Sequence, residues 1–303
     1  MAEERAQVVM GGVSGTQVGA TSEKFAPGDR YFNVSELWIF YHRRVLGILY
    51  RLGIPHEAVT VLSLLCGLAA VWSIARGRFL VGAVLLHFKD VFDACDGALA
   101  RMTGRAHRIG RFMDSVFDFV ALTAAVFAMA YGTAREEAAG PEALLLAVVA
   151  ALSLFLQCSY FNYHQIQYME TLEDRRLTST VNESVESERD REIKSAAGRC
   201  FLAVLRRIYL VVYGWQDRLM RVIDEASRRA GVGLGAGVRE WYGNKRFMTL
   251  ASALCFGTHI FIMVVALLVS HPRWALYVIV GPMNLYWGGL MLARVVMPRG
   301  AGR

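Results

Sequence analysis

FDACDGALARMTGRAHRIGRFMDSVFDFV, residues 92–120, carries four aspartates between two stretches apolar enough to be membrane helices. A carboxylate in hydrocarbon costs several kcal/mol unless it is paired, solvated or bound to a cation, so Asp93, Asp96, Asp114 and Asp118 need a physical reason to be there. On a helix, Asp93 and Asp96 are three apart and share a face. Gly97 and Ala100 continue that face, and Lys89 and Asp90 precede it by one turn. On the next helix Asp114 and Asp118 are four apart and also share a face, with Gly110 one turn earlier. Two adjacent helices can therefore aim four carboxylates into one pocket, and the small residues let something large approach the backbone. Four carboxylates at close range do not all stay ionised without counter-charge. Hard divalent cations such as Mg²⁺, Mn²⁺ or Ca²⁺ supply it. A pair of metals about 3.5–4 Å apart is the usual clamp for phosphoryl chemistry. The residues thus point to a divalent metal and a phosphate-containing substrate without naming a reaction.

The rest of the chain places that stretch. Of 303 residues, 55% are hydrophobic, which is high for a soluble domain and fits a polytopic membrane protein. Hydrophobic runs long enough to span a bilayer fall near 57–76, 79–101, 110–132, 143–168, 247–270 and 273–297. The expected fold is therefore all-α, an integral membrane protein of six transmembrane helices. The net charge of +7 would suggest nucleic acid in a soluble protein. Here it reads instead as positive-inside topology and contact with anionic membrane lipids, with no nucleic acid partner. Arg105, Arg108 and Arg111, flanked by Arg101, fill the link between the second and third spans, and Arg299 and Arg303 sit in the C-terminal tail. That arrangement puts both termini and the aspartates on the cytoplasmic face of a bacterial-type inner or plasma membrane.

Outside the spans, residues 1–32 read as a disordered cytoplasmic tail with no signal-peptide core. In 33–54, Leu37, Tyr41, Val45, Ile48, Leu49 and Leu52 recur at helical spacing, which predicts an amphipathic helix lying in the membrane interface. Residues 55–168 hold the first four spans and the aspartates, and 247–303 hold the last two spans and a tail. Between them, 169–246 form a cytoplasmic insert, charged in its first part and helical and amphipathic in its second. Its apolar face can pack on the protein or dip into the interface. The "GVGLGAG" run at 231–237 is a flexible link, since no Lys-Ser/Thr follows it as in a phosphate loop. Cys66, Cys95, Cys158, Cys200 and Cys255 are scattered and form no CxxC pair, as expected of free thiols in a reducing compartment.

The full spacing says more than the charge does. Asp93-x2-Asp96-Gly97-x2-Ala100-Arg101-x8-Gly110-x3-Asp114-x3-Asp118 resembles the signature of the CDP-alcohol phosphotransferase family at every fixed position. The likeness covers 55–168 well and 247–297 only by hydropathy. It implies a transferase of phospholipid biosynthesis that displaces CMP from a CDP-linked donor by attack of an alcohol. Carried over by position, Asp93, Asp96, Asp114 and Asp118 are the metal ligands for Mg²⁺ or Mn²⁺, two ions in all, and Asp118 doubles as the general base. Gly97, Ala100 and Gly110 are the small positions that admit the CDP moiety, and Arg101 is a diphosphate or carboxylate partner. The resemblance also suggests a homodimer. The family often has a Pro-Asn-x-x-Thr-like stretch before the first span. Here "GIPHEAVTVLS" shifts Pro55 and replaces Pro-Asn with His56-Glu57, but keeps Thr60.

Other residues near the motif have two readings. Lys89 and Asp90 either neutralise each other or touch substrate. Arg105, Arg108 and Arg111 either mark topology or hold an anionic acceptor. Gln157 reads as a helix-packing or interface-solvated residue that could also reach an acceptor, and Asn284 as a packing site at a Pro/Gly kink rather than a ligand. The commonest version of the reaction takes CDP-diacylglycerol and a small polar alcohol. A second version moves a soluble CDP-alcohol's headgroup onto a lipid alcohol such as diacylglycerol. Without the Gly-Ala-Arg context the same aspartates would suit a cation transporter, and a non-catalytic relative would not need all four.

Overall fold

A computed structural model describes residues 29–103, 108–132, 140–173, 196–232 and 238–296, and the regular structure among them is helical throughout. After a 3₁₀ turn at Val34–Leu37 come α1 (His42–Arg51), α2 (His56–Ala75), α3 (Phe79–Met102), α4 (Arg108–Tyr131) and α5 (Pro141–Glu173). The chain continues with α6 (Ala196–Val232), α7 (Val238–Tyr242), α8 (Lys245–Ala251) and a 3₁₀ turn at Ser252–Leu254. It closes with α9 (Phe256–Leu268), α10 (Pro272–Val280) and α11 (Pro282–Val296).

Among the described residues, four helices are long and apolar enough to cross a membrane: α2, α4 from Phe112, α5 to Leu172, and α10 with α11 taken together. The bent pair Lys245–Leu254 and Phe256–Leu268, with an angle of 41° between its halves, makes a fifth. Six were expected. The one that fails is α3, which at 24 residues is long enough but carries Lys89, Asp90, Asp93, Asp96 and Arg101 in its second half. The apolar helices fit an integral membrane protein. The core joins Ile74 of α2 and Leu86 of α3 to Leu122 and Met129 of α4, Leu154 of α5, Met263 of α9 and Ile279 of α10.

The turn between α2 and α3 has a simple cause. Gly77 takes φ +73°, the left-handed conformation that ends a helix without a Cβ penalty. The Gly77 and Arg78 amides donate back to the carbonyls of Ile74 and Ser73, at 2.9 Å each. Close approach decides the register of α2 against α4. A Cβ added at Gly67 would lie 3.0 Å from the Ala121 Cβ and 3.4 Å from Cγ of Lys89. The helices can come this near only because position 67 has no side chain.

Two expectations need correction. Residues 33–54 are not one amphipathic helix. Asn33 caps a short 3₁₀ turn, accepting from the Ser35 amide at 3.1 Å. The Val34 amide donates to Ser252 Oγ at 3.1 Å, and Trp38 stacks on Phe261 of α9 at 4.5 Å. These contacts hold the turn against the bundle, and the helix starts afresh at His42. Leu46 and Leu49 face the protein, whereas Leu37, Ile48 and Leu52 stay exposed, so the apolar residues serve two different surfaces. Second, the helix of the fourth span runs on to Glu173, past the boundary expected near 168.

The last span is broken between α10 and α11, where Gly281 has φ −92° and ψ −92°. Polar side chains answer the break. Asn284 donates to the freed Val280 carbonyl at 3.0 Å and to Ser153 Oγ at 2.8 Å. Gln157 of α5 donates to the Ile279 carbonyl at 3.1 Å and to Asn284 Oδ1 at 2.8 Å. Its own Oε1 meets His259 Nε2 at 2.7 Å. Both residues are the packing groups that their place in apolar helices suggested.

Gly67→Val is expected to lower stability by about 1–3 kcal/mol through overpacking against Ala121 and the Lys89 stem. Thermal unfolding of purified protein in detergent measures it. An unchanged transition would mean that α2 and α4 have room to separate.

Candidate active site

Helices α3 and α4 bring three of the four motif aspartates together. One carboxylate oxygen each from Asp93, Asp114 and Asp118 lies within 4.8 Å of the others. Asp118 is buried, and Asp93 and Asp114 are half-buried. Three hard oxygen donors at this separation fit a divalent cation such as Mg²⁺ or Mn²⁺. Asp96 stands one turn along α3, 5% exposed, and its Oδ2 accepts from Thr60 Oγ1 of α2 at 2.7 Å. The Thr60 hydroxyl also lies 3.1 Å from the His56 carbonyl, so α2 orients this carboxylate. The expected four-carboxylate pocket is thus three carboxylates in a group and a fourth steered by a hydroxyl.

Lys89 is the cation that the cluster already contains. It is 1% exposed. Its ammonium hydrogen-bonds Asp118 and lies 3.2 Å from Asp93 Oδ1, four residues on along α3. Of the two readings of Lys89 and Asp90, mutual neutralisation is not the contact that forms. Consecutive residues on a helix point about 100° apart. Lys89 turns toward α4, while Asp90 turns toward α9, where a Cβ added to Gly257 would be 3.7 Å from its Oδ1. The Lys89 backbone carbonyl accepts from Ser63 Oγ of α2 at 3.1 Å.

The small positions and the arginine lie where the motif puts them along the helices. Gly97 and Ala100 follow the Asp93–Asp96 turn on α3, and Arg101 folds back so that Nη1 would be 3.5 Å from a Cβ on Gly97. Gly110, Arg108 and Arg111 belong to the first turn of α4. Arg105 lies outside the described residues.

Helix α6, the second part of the insert, packs directly on the aspartate end of α4. Phe112 and Tyr209 have ring centroids 5.0 Å apart, and Tyr213 donates to the Ser115 carbonyl at 3.0 Å. Gln216 Oε1 accepts from Ser159 of α5 at 2.6 Å. The far end of α6 is pinned at Asp224, which accepts from Trp241 Nε1 at 3.1 Å, Tyr242 at 2.5 Å and Tyr163 at 3.4 Å. Burial, with Asp224 beside it, pushes the Tyr242 phenol up to about 12. Arg294 of α11 completes the lock: it donates to the Trp241 carbonyl at 2.5 Å and lies 4.2 Å over that indole and 4.0 Å over the Phe247 ring.

Three members of this neighbourhood were under-read from sequence. Lys89-x3-Asp93 is a helical ion-pair spacing, and it was a usable signal for Lys89 as a partner of the cluster. Nothing local in the insert announces Tyr209 and Tyr213 as neighbours of the site, because that contact crosses from α6 to α4.

Residues 54–179 match the model of the CDP-alcohol phosphatidyltransferase family. Two curated relatives are both archaetidylinositol phosphate synthases. The one from Pyrococcus horikoshii is 32% identical over 89 residues, which are 29% of this chain and 47% of the relative. The one from Methanothermobacter thermautotrophicus is 35% identical over 68 residues, 22% of this chain and 35% of the relative. The matched region therefore spans less than half the length of either. No solved structure matches.

Lys89→Met is expected to cost about 3–5 kcal/mol when divalent metal is chelated, because it leaves buried carboxylates without their cation. Excess Mg²⁺ should restore most of that loss in thermal unfolding. An equal loss with and without Mg²⁺ would assign the effect to packing instead of charge.

Proposed function

We propose that this chain, whose residues 54–179 are a CDP-alcohol phosphatidyltransferase domain, is a membrane transferase that joins a CDP-linked lipid to a small polar alcohol and releases CMP. The observation that carries the reading is the convergence of Asp93, Asp114 and Asp118 within a motif whose spacing is that of the family. The most fitting donor is CDP-diacylglycerol or a lipid of the same diphosphate chemistry. The relatives' printed name describes a product with an inositol phosphate headgroup, which favours a phosphorylated alcohol such as inositol phosphate as acceptor. The arginines Arg101, Arg105, Arg108 and Arg111 beside the motif suit an anionic acceptor and the donor diphosphate.

In this reading Asp93, Asp96, Asp114 and Asp118 would hold Mg²⁺ or Mn²⁺, with Thr60 orienting Asp96. When bound, the metal neutralises diphosphate charge and polarises the phosphoryl oxygens. Asp118 accepts the proton of the acceptor hydroxyl. The hydroxyl oxygen forms a bond to the lipid-side phosphorus, the bond from that phosphorus to the CMP oxygen breaks, and CMP leaves with the electron pair. Gly97, Ala100 and Gly110 leave room for the cytidine diphosphate against α3 and α4. The Lys89 ammonium, in contact with Asp93 and Asp118, offsets part of the carboxylate charge beside the residues that would hold the metal. The active site faces the cytoplasm, following Arg105, Arg108 and Arg111 around the turn from α3 to α4 and the arginines of the C-terminal tail.

The test is CMP release by purified protein in detergent with Mg²⁺ or Mn²⁺ and CDP-diacylglycerol. Inositol-1-phosphate, glycerol-3-phosphate, inositol and serine are offered separately. Release with a phosphorylated acceptor, falling about 100-fold or more in Asp118→Asn, is the expected result. Release only from a soluble CDP-alcohol with diacylglycerol would reverse donor and acceptor. No release from either pairing would overturn the transferase reading.

A further inference from the structure

Helix α6 has three distinct faces, and one of them is buried in the fold. At about 100° per residue its side chains sort into strips roughly 120° apart. The first strip, with Leu202, Leu205, Gln216, Met220 and Asp224, is buried against α4, α5 and the segment that follows. The second is basic: Arg199, Arg206, Arg207, Arg218, Arg221 and Arg228 lie along it, offset in part by Asp217 and Glu225. The third is apolar and open. Phe201 is 48% exposed, Val204 52%, Ile208 39%, Val211 69%, Trp215 42% and Val222 64%. At 1.5 Å per residue this open strip is about 32 Å long. It lies beside the aspartate end of the bundle, because Tyr209 and Tyr213 on the neighbouring strip contact Phe112, Ser115 and Phe119 of α4.

We infer that α6 is a lipid-docking helix that seats its apolar strip in the acyl boundary of an anionic leaflet, with its arginines at the headgroups. Apolar and basic strips meeting along one edge, with an indole on the apolar side, are what an interfacial helix requires. The charge pattern selects this occupant over a second copy of the chain. Arg207 and Arg218 border the open strip. A parallel pairing would set each against itself, and an antiparallel pairing centred between Val212 and Tyr213 would set Arg207 against Arg218. Both repel, whereas an anionic leaflet complements either. The inference is independent of the transferase reading. Its consequence is local, because α6 also touches Phe112 and Ser115, the residues that flank Asp114 on α4.

The test uses the full chain in lipid nanodiscs, with Cys66 and Cys200 replaced by serine and a nitroxide attached at Val211→Cys or, separately, Arg207→Cys. Both positions are exposed, so the label disturbs no packing, and an unchanged thermal transition confirms the fold. Collision rates with oxygen and with a water-soluble nickel chelate report depth. In phosphatidylcholine discs containing phosphatidylglycerol, the Val211 label should favour oxygen and the Arg207 label nickel. The Val211 label should become shallower when phosphatidylglycerol is omitted. The inference fails if the Val211 label is as open to nickel as the Arg207 label, which would make the strip solvated. It also fails if that label is shielded from both reagents, as a second copy would shield it, or if its depth ignores phosphatidylglycerol.

Discussion

Negative charge among apolar helices has to be answered from within the protein, and that requirement sets the spacing of α2, α3 and α4. Lys89 reaches from α3 to Asp118 of α4 while remaining in contact with Asp93 of its own helix. Its stem needs room, and Gly67 of α2 provides it, since any side chain there would meet both the stem and Ala121. Thr60 and Ser63, on the same side of α2, bond Asp96 and the Lys89 carbonyl. The helix that carries none of the motif carboxylates is thus the one that steers them. Charge balance and close packing are a single constraint at this point, because the side chain that neutralises the cluster is also the one wedged between helices.

The site was legible to the extent that it is periodic. Asp93, Asp96, Asp114 and Asp118 could be assigned to two helix faces from spacing alone, and the structure brings three of them within 4.8 Å. What spacing cannot supply is the third helix. Thr60 could be singled out from the sequence, but its role toward Asp96 depends on how α2 crosses α3. Lys89 and Asp90 show the same limit. As neighbours in sequence they invited pairing, yet the helical turn between them sends one to α4 and the other toward α9.

The fold was legible where hydropathy runs are long and uninterrupted, as in α2, α4 and α5. It was less so where polar contacts redirect the chain. The segment before α2 has a helical apolar pattern, but Ser252 and Phe261 capture its first turn and split it. The stretch at 247–270 reads as one span and is bent by 41°. The insert was the least legible part. Its amphipathic pattern is plain, but a pattern cannot say which of two surfaces it will cover. In the structure its inner strip is claimed by Tyr209, Tyr213, Gln216 and Asp224, all polar or aromatic groups with partners on other helices.

The break at Gly281 has a mechanical meaning. Helix α10 packs on α4, α5 and α9, whereas α11 packs chiefly on α6 and is tied to the same end of the molecule through Arg294 and Trp241. The joint between them is held by side-chain amides instead of a continuous backbone ladder. The last span is therefore two helices with different neighbours: the outer one answers to α6, and the inner one to α4, α5 and α9.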